Sequence, residues 1–375
     1  MTADARIPRP PEGYLDAVGG QPILPQARQA WVAASEQAWS DPARLHHAGR
    51  RAGMVLDAAR ASLASGLDSP AEQVHLTSSG PSAVAAAVTG LLAQRPRAAR
   101  IVASAVESLA VLHPALAACD DVDLVPVDPA GRIDLAALRA ALDAPAALVA
   151  VQAANPEVGS RQPLAEVHAM TQEAGVPLLV HAVQVIGRGP VPEAWDVLAA
   201  SARDWAGPAG VGVLAVRPSA RWAPDASPDR GWLSGFPDIP GAAAAATALE
   251  EVRGWGDAEA VRVHALTTRL RAALPDVASG ITVTGHDVDR LPHIVTFTCT
   301  GVVGEQVVHG LSRRGFSVAS GSACTSDARM PSQVLAAMGV RADASVRVSL
   351  PFGCTAETVE GFLDALPEAL AEARD

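Results

Sequence analysis

The stretch Ser320-Gly321-Ser322-Ala323-Cys324-Thr325-Ser326 sets one thiol among small residues, directly after the apolar segment 316–319. Glycine and serine give such a loop backbone freedom without bulk. A sulfur placed there can be exposed and can travel, which a nucleophilic cysteine requires. Two readings follow, a sulfur-accepting thiol and an incidental cysteine. An unperturbed cysteine is mostly thiol at neutral pH, so a working one needs a positive neighbour, for which Arg347, Arg329 and Arg203 are candidates. A second chemical fact concerns a missing residue type. The 29 basic residues are all arginine, and the sequence has no lysine. A guanidinium cannot replace a lysine amine as a nucleophile.

The elements that must hold these groups follow from hydrophobic pattern. A chain of 375 residues, 49% hydrophobic and 18% charged, is globular and long enough for one large or two moderate domains. A net charge of −11 argues against nucleic acid or an anionic membrane surface as partner. No apolar run reaches membrane-spanning length, and the polar N-terminus has no signal-peptide core. Cys119, Cys299, Cys324 and Cys354 form no CxxC pair and no metal-ligand cluster, which fits a reducing cytoplasm. Short apolar runs at 74–77, 100–104, 122–127, 147–152, 177–181, 197–201 and 211–216 alternate with alanine-rich helical stretches. This alternation predicts an α/β fold with a mostly parallel sheet covered on both faces. Residues 218–240 read as a long loop, and helices are expected at 241–255 and 258–274. The tail changes style, with strands expected at 281–284, 294–298 and 345–350 and helices at 304–314, 331–338 and 356–371. The expected division is a large domain over 14–250 and a smaller α+β domain over 251–375, completed by residues 1–13 and carrying the Cys324 loop.

Several collinear motifs then carry a likeness. Tyr14-Leu15-Asp16 through Pro22 matches YLDNAATTP, and Asp41 through His46 matches NPSSxH. Thr77-Ser78-Ser79-Gly80 matches a TSG segment, and Asn155 through Gly159 with Gln162-Pro163 resembles NNEVGxxQP. Ser201 through Gly212 resembles SxHKxxGPxGxG, Pro292 through Val295 resembles PxIV, Ser320–Ser326 matches SGSACTS, and Ser345 through Leu350 resembles SIRxSLG. On these residues the chain resembles the cysteine desulfurases, in the class-V aminotransferase group of fold-type I pyridoxal-phosphate (PLP) enzymes. The resemblance implies a fold-type I PLP-transferase-like architecture and an active site at a dimer interface.

It also exposes departures. The family's Schiff-base lysine falls on Asp204, and the histidine before it falls on Arg203. The aspartate that pairs with the cofactor's ring nitrogen falls on His181, and the histidine that stacks on the ring falls on Ser108. The threonine that reaches the phosphate from the neighbouring subunit falls on Phe236. Matching polar positions remain at Ser82, Gln184 and Ser201 for the pocket and at Asn155. Arg347 falls on the arginine that grips the substrate carboxylate, and Cys324 on the thiol that receives sulfur as a persulfide. With these departures no cofactor is expected, PLP entering only as a non-covalent ligand. The expected function is a sulfur-relay protein that carries persulfide on Cys324. The alternatives are a non-catalytic subunit that pairs with a related active protein, and an enzyme that binds PLP without a covalent bond. Expected partners are a second copy or a related chain, together with a sulfur donor or acceptor protein.

Overall fold

A computed structural model describes residues 7–95, 100–225, 227–285, 288–321 and 332–374 of the 375. Its larger sheet has seven strands in the order β1-β7-β6-β5-β4-β2-β3. These are β1 (Val74–Thr77), β2 (Arg100–Ser104), β3 (Asp121–Val125), β4 (Leu148–Gln152), β5 (Leu178–His181), β6 (Val197–Ser201) and β7 (Gly212–Val216). Strands β6, β5, β4, β2 and β3 pair in parallel, while β7 is antiparallel to both neighbours. Alternation of side chains along each strand divides the core into two layers. Leu148 and Ala150 of β4 join a cluster with Ala83, Val84, Val111 and Leu112, whereas Val149 and Val151 join one with Leu56, Leu138, Val167 and Leu249. Helices α3 (Gly80–Ala93) and α4 (Leu109–Ala118) therefore cover one face. Helices α1 (Pro25–Gln37), α2 (His47–Gly66), α5 (Leu135–Ala141), α6 (Leu164–Glu173) and α7 (Ile239–Gly254) cover the other.

Helix α8 (Asp257–Val277) leads to a second sheet of four antiparallel strands, in the order β10-β11-β9-β8. Its members are β8 (Ile281–Val283), β9 (Ile294–Cys299), β10 (Ala319–Ser320) and β11 (Ser345–Ser349). Helices α9 (Gly304–Arg313) and α11 (Ala356–Glu372) pack with α8 over Phe297, Val346, Val348 and Phe362. A short helix, α10 (Gln333–Ala337), lies between β10 and β11 in the chain. The N-terminal segment crosses to this sheet: Tyr14 and Asp16 form bridges with Ser317 and Ser349, and Leu15 is part of its core.

Differences from the sequence reading are local. Strand β3 starts at Asp121, one residue earlier, because β2 pairs with Asp121 and Asp123 through backbone groups that ignore side-chain polarity. Helix α7 starts at Ile239, since the Asp238 carboxylate accepts from Gly241 N and caps it. Helix α8 continues to Val277 through Pro275 near its end. The fold also requires glycine at 212. An added Cβ there would lie 2.0 Å from Ser79 O and 2.4 Å from Thr77 Oγ1. Gly212→Ala is expected to cost about 1–3 kcal/mol, read as a lower urea midpoint with an unchanged slope.

Candidate active site

In an open α/β sheet the carboxyl ends of the strands meet where helices begin, and ligands bind there. Five of the sequence-derived positions lie at such ends: Ser82 beyond β1, Ser108 beyond β2, Asn155 beyond β4, His181 at the end of β5 and Ser201 at the end of β6. Three serines surround the start of helix α3: Ser78, the N-cap Ser79 and Ser82 in the first turn. The Ser79 hydroxyl accepts from Ser82 N at 3.1 Å, and Ser82 Oγ lies 2.8 Å from Ser79 Oγ and 3.3 Å from Ser78 Oγ. Backbone donors at a helix start attract anions, so this end of the site suits a phosphate or carboxylate.

Ser108 opens α4 without capping it. Its hydroxyl lies instead 3.1 Å from His181 Nδ1. Burial pushes the His181 imidazole down to about 4, so it is neutral at physiological pH. Its neighbour Glu107 is fully buried, with one carboxyl oxygen accepting from Ser108 N at 3.0 Å and the other unpartnered. Burial pushes that carboxyl up to about 8. The floor of the site is therefore electrically neutral.

Asp204 follows β6 in a short 3-10 turn, Ala202–Trp205, and is 1% exposed. Its two oxygens accept from Gln184 N at 3.1 Å and Gln184 Nε2 at 2.9 Å. Gln184 has φ +59, a left-handed conformation that costs a non-glycine residue about 1–3 kcal/mol unless its surroundings enforce it. The Asp204 carboxylate supplies that enforcement. Gln184 Oε1 in turn lies 3.1 Å from His293 Nε2, which ties the large sheet to the segment entering β9. Burial raises the Asp204 carboxyl above its ordinary value, against the Gln184 hydrogen bonds and the Arg203 and Arg188 charges, which lower it.

The remaining sequence-derived positions are arranged differently. Asn155 is fully buried, its Oδ1 accepting from Glu157 N and Val158 N at 2.8 and 3.0 Å. Arg347, on β11, pairs with Asp16 at 3.1 Å. Ser201 is half-buried and packs close to Gly80, where an added Cβ would meet its own Cβ at 2.7 Å. Phe236 is 65% exposed and lies on the surface of the chain. Arg203 is exposed. Cys324 and Arg329 lie outside the described residues. The segments beside that stretch are held: Gly321 N donates to Ser345 Oγ at 3.1 Å, and Ser332 Oγ donates to Glu157 at 2.6 Å. The sequence motifs assigned no role to Glu157 or His293, which sit inside them, or to Glu107, which precedes Ser108.

Comparison with known proteins matches this geometry to a family. The family model for class-V aminotransferases covers residues 13–362. A cysteine desulfurase of Cereibacter sphaeroides is 33% identical over 379 residues, covering 96% of each chain. An IscS-like cysteine desulfurase of Mycobacterium tuberculosis is 31% identical, covering 96% of this chain and 97% of that protein. The cysteine desulfurase NifS of Azotobacter vinelandii is 29% identical, covering 96% of this chain and 93% of that protein. A solved NifS-like protein superposes with a TM-score of 0.86 at 25% identity, covering 96% of this chain and 99% of that one.

These matches correct one expectation. Class-V aminotransferases and cysteine desulfurases are PLP-dependent, so the expectation that the chain takes no cofactor does not stand. The side chains set a narrower limit. The serines at the start of α3 fit a phosphate, but Asp204 does not fit the covalent anchor. An aspartate cannot form an imine, and the sequence holds no lysine to replace it. His181, on which the resemblance puts the partner of the ring nitrogen, is neutral and would not supply the fixed negative charge needed there.

Proposed function

The chain belongs to the class-V aminotransferase family, and from that premise we propose a sulfur-transfer protein that relays sulfur on Cys324 instead of releasing it from cysteine through a lysine-anchored cofactor. The observation that supports this reading is a chain with no lysine at all, in which Asp204, the residue that the resemblance puts at the lysine position, has both oxygens taken by Gln184. In the relay the Cys324 thiolate attacks the sulfane sulfur of a donor persulfide. A new S–S bond forms as the donor's S–S bond breaks, the donor departs as its thiolate, and no net oxidation occurs. A second attack, by an acceptor thiolate, returns Cys324 to its starting state. Cys119, Cys299 and Cys354 are buried and form no disulfide among the described residues. Burial pushes Cys299 and Cys354 up to about 11, so they compete poorly as nucleophiles.

The test is mass spectrometry after exposure to a small persulfide. The parent protein is expected to gain one sulfur atom, and Cys324→Ser to lose at least nine-tenths of that gain. An unmodified parent, or equal labelling of the variant, refutes the relay. A second reading is a subunit that pairs with a second copy or a related active chain. It is favoured by the exposed apolar side chains Trp39, Leu45 and Met54, at 72%, 85% and 72% exposure. Patches of that kind mark interaction surfaces. Under it Cys324→Ser is silent, whereas Trp39→Glu with Met54→Glu shifts the sedimentation profile to a smaller species.

A further inference from the structure

A cavity of about 550 Å³ lies away from the strand ends just described, between the β5–β6 connection, the α7–α8 junction and the Phe352 turn. Its volume is in the range that holds a small organic molecule. Trp195, Trp255 and Phe352 supply aromatic wall, and Arg188 and Arg217 bring cations to it. Arg188 is 3% exposed, and its guanidinium stacks on the Phe352 ring at 3.7 Å. Of its side-chain donors only Nη2 is engaged, at 2.9 Å from Gln21 Oε1, and Nε is buried with no partner. Trp255 meets the same phenyl ring edge-on, with centroids 5.1 Å apart. It is 6% exposed, and its indole Nε1–H is also buried with no partner. Buried donors are rarely left unpaired, and each costs about 1–3 kcal/mol when it is. Both orphans are donors, on residues that line one cavity.

The charges point the same way. Arg188 and Arg217 form no ion pair with a carboxylate among the described residues; Arg217 stacks on Trp195 at 4.1 Å and donates to the carbonyls of Trp195 and Glu193. Two of the acids that line the cavity are already spent. Glu259 receives Arg262 and Gly353 N, and Asp68 receives Arg253. Glu193 and Asp257 are exposed. The cavity lining thus holds two buried N–H donors, Arg188 Nε and Trp255 Nε1, that no acceptor among the described residues meets, although the charges of Glu259 and Asp204 act on the Arg188 guanidinium.

We propose that this cavity binds a small carboxylate, its anion meeting Arg188 and the Trp255 N–H and its apolar or flat body lying against the aromatic wall. A planar fork suits a carboxylate better than a point charge does. Residues from both sheets' domains line the cavity, so an occupant bridges them and stabilises the folded chain by mass action.

The test titrates the full chain with phenylacetate and with phenylacetamide, which has the same body without the charge, reading tryptophan fluorescence and melting temperature. Phenylacetate is expected to give a saturable fluorescence change and a concentration-dependent rise in melting temperature, and the amide to bind at least tenfold more weakly. Trp255→Phe keeps the ring and removes the donor, and is expected to weaken phenylacetate binding about tenfold. Arg188→Met is expected to abolish it, and the Trp255→Phe measurement decides the matter if that variant fails to fold. No saturation by phenylacetate up to millimolar concentration, equal binding of acid and amide, or an unchanged affinity in Trp255→Phe each overturns the proposal.

Discussion

At pH 8 the Glu107→Gln protein is expected to be more stable relative to the parent than it is at pH 5, by up to about 3.5 kcal/mol. The Glu107 carboxyl ionises near 4.5 when exposed and is pushed up to about 8 in the fold, where burial outweighs the backbone hydrogen bonds that lower it. Between those two values the unfolded chain has lost the proton and the folded chain still holds it. Stability therefore falls as pH rises through that window and is unaffected below it. A shift of that size corresponds to about 5 kcal/mol over the whole titration, of which the interval from pH 5 to 8 covers about 3.5 kcal/mol, and relaxation of the buried site brings the observed figure below it. Glutamine cannot ionise, so the variant removes this slope. It also changes the hydrogen bonding of an oxygen that is unpartnered in the parent, so the decisive quantity is the pH dependence and not the offset. Urea midpoints at pH 5, 6.5 and 8 measure it. Parallel profiles for parent and variant would mean that Glu107 ionises at its ordinary value.

This carboxyl bears on function through its neighbours. Glu107 is protonated, His181 is neutral and the Asp204 carboxylate is consumed by Gln184. Neither Glu107 nor His181 places a fixed negative charge at the position that Ser108 and His181 share. A site tuned this way is poorly matched to chemistry that needs a protonated ring as an electron sink, and it agrees with the missing lysine without depending on it.

The architecture was legible because its strands are short apolar runs and its helices are alanine-rich, so a period of two gives way repeatedly to a period near four. Strand β4, buried throughout, is such a run. Ends were less legible where pairing and side-chain polarity disagree, as at Asp121 and Asp123 in β3. At the site, residue types were legible and contacts were not. The spacing from Ser201 to Gly212 identified Asp204 as the position of interest. That its carboxylate would hold a left-handed Gln184 depends on two loops 20 residues apart meeting in space. Arg347 illustrates the same limit, since its partner Asp16 is 331 residues away in the chain. The orphaned donors beside Phe352 carry no sequence signal, because an arginine and a tryptophan without partners read the same as a pair that has them.

Acid should expose the opposite behaviour from His181. Its imidazole takes up a proton near 6.5 when exposed, and burial alone pushes it down to about 4. Between these values the unfolded chain binds the proton and the folded chain does not, so stability rises with pH across this window and is lost on acidification. The limit is about 3 kcal/mol. His293 is shifted in the same direction by burial and then by the Arg188, Arg161 and Arg347 charges, and it adds to the loss. Glu107 offsets one of the two wherever the windows overlap, so the parent's profile between pH 4.5 and 6.5 is expected to be shallower than that of Glu107→Gln. The variants separate the contributions. Glu107→Gln should uncover a steep loss of stability from pH 6.5 to 4.5, and adding His181→Gln to it should remove a large part of that loss. Ser108→Ala is the control, because it deletes the hydroxyl beside the ring and leaves the buried imidazole to titrate. Melting temperatures of the four proteins at pH 7 and pH 5 give the result. If the double variant is as acid-sensitive as Glu107→Gln alone, His181 is not the buried neutral group that its place against Ser108 requires.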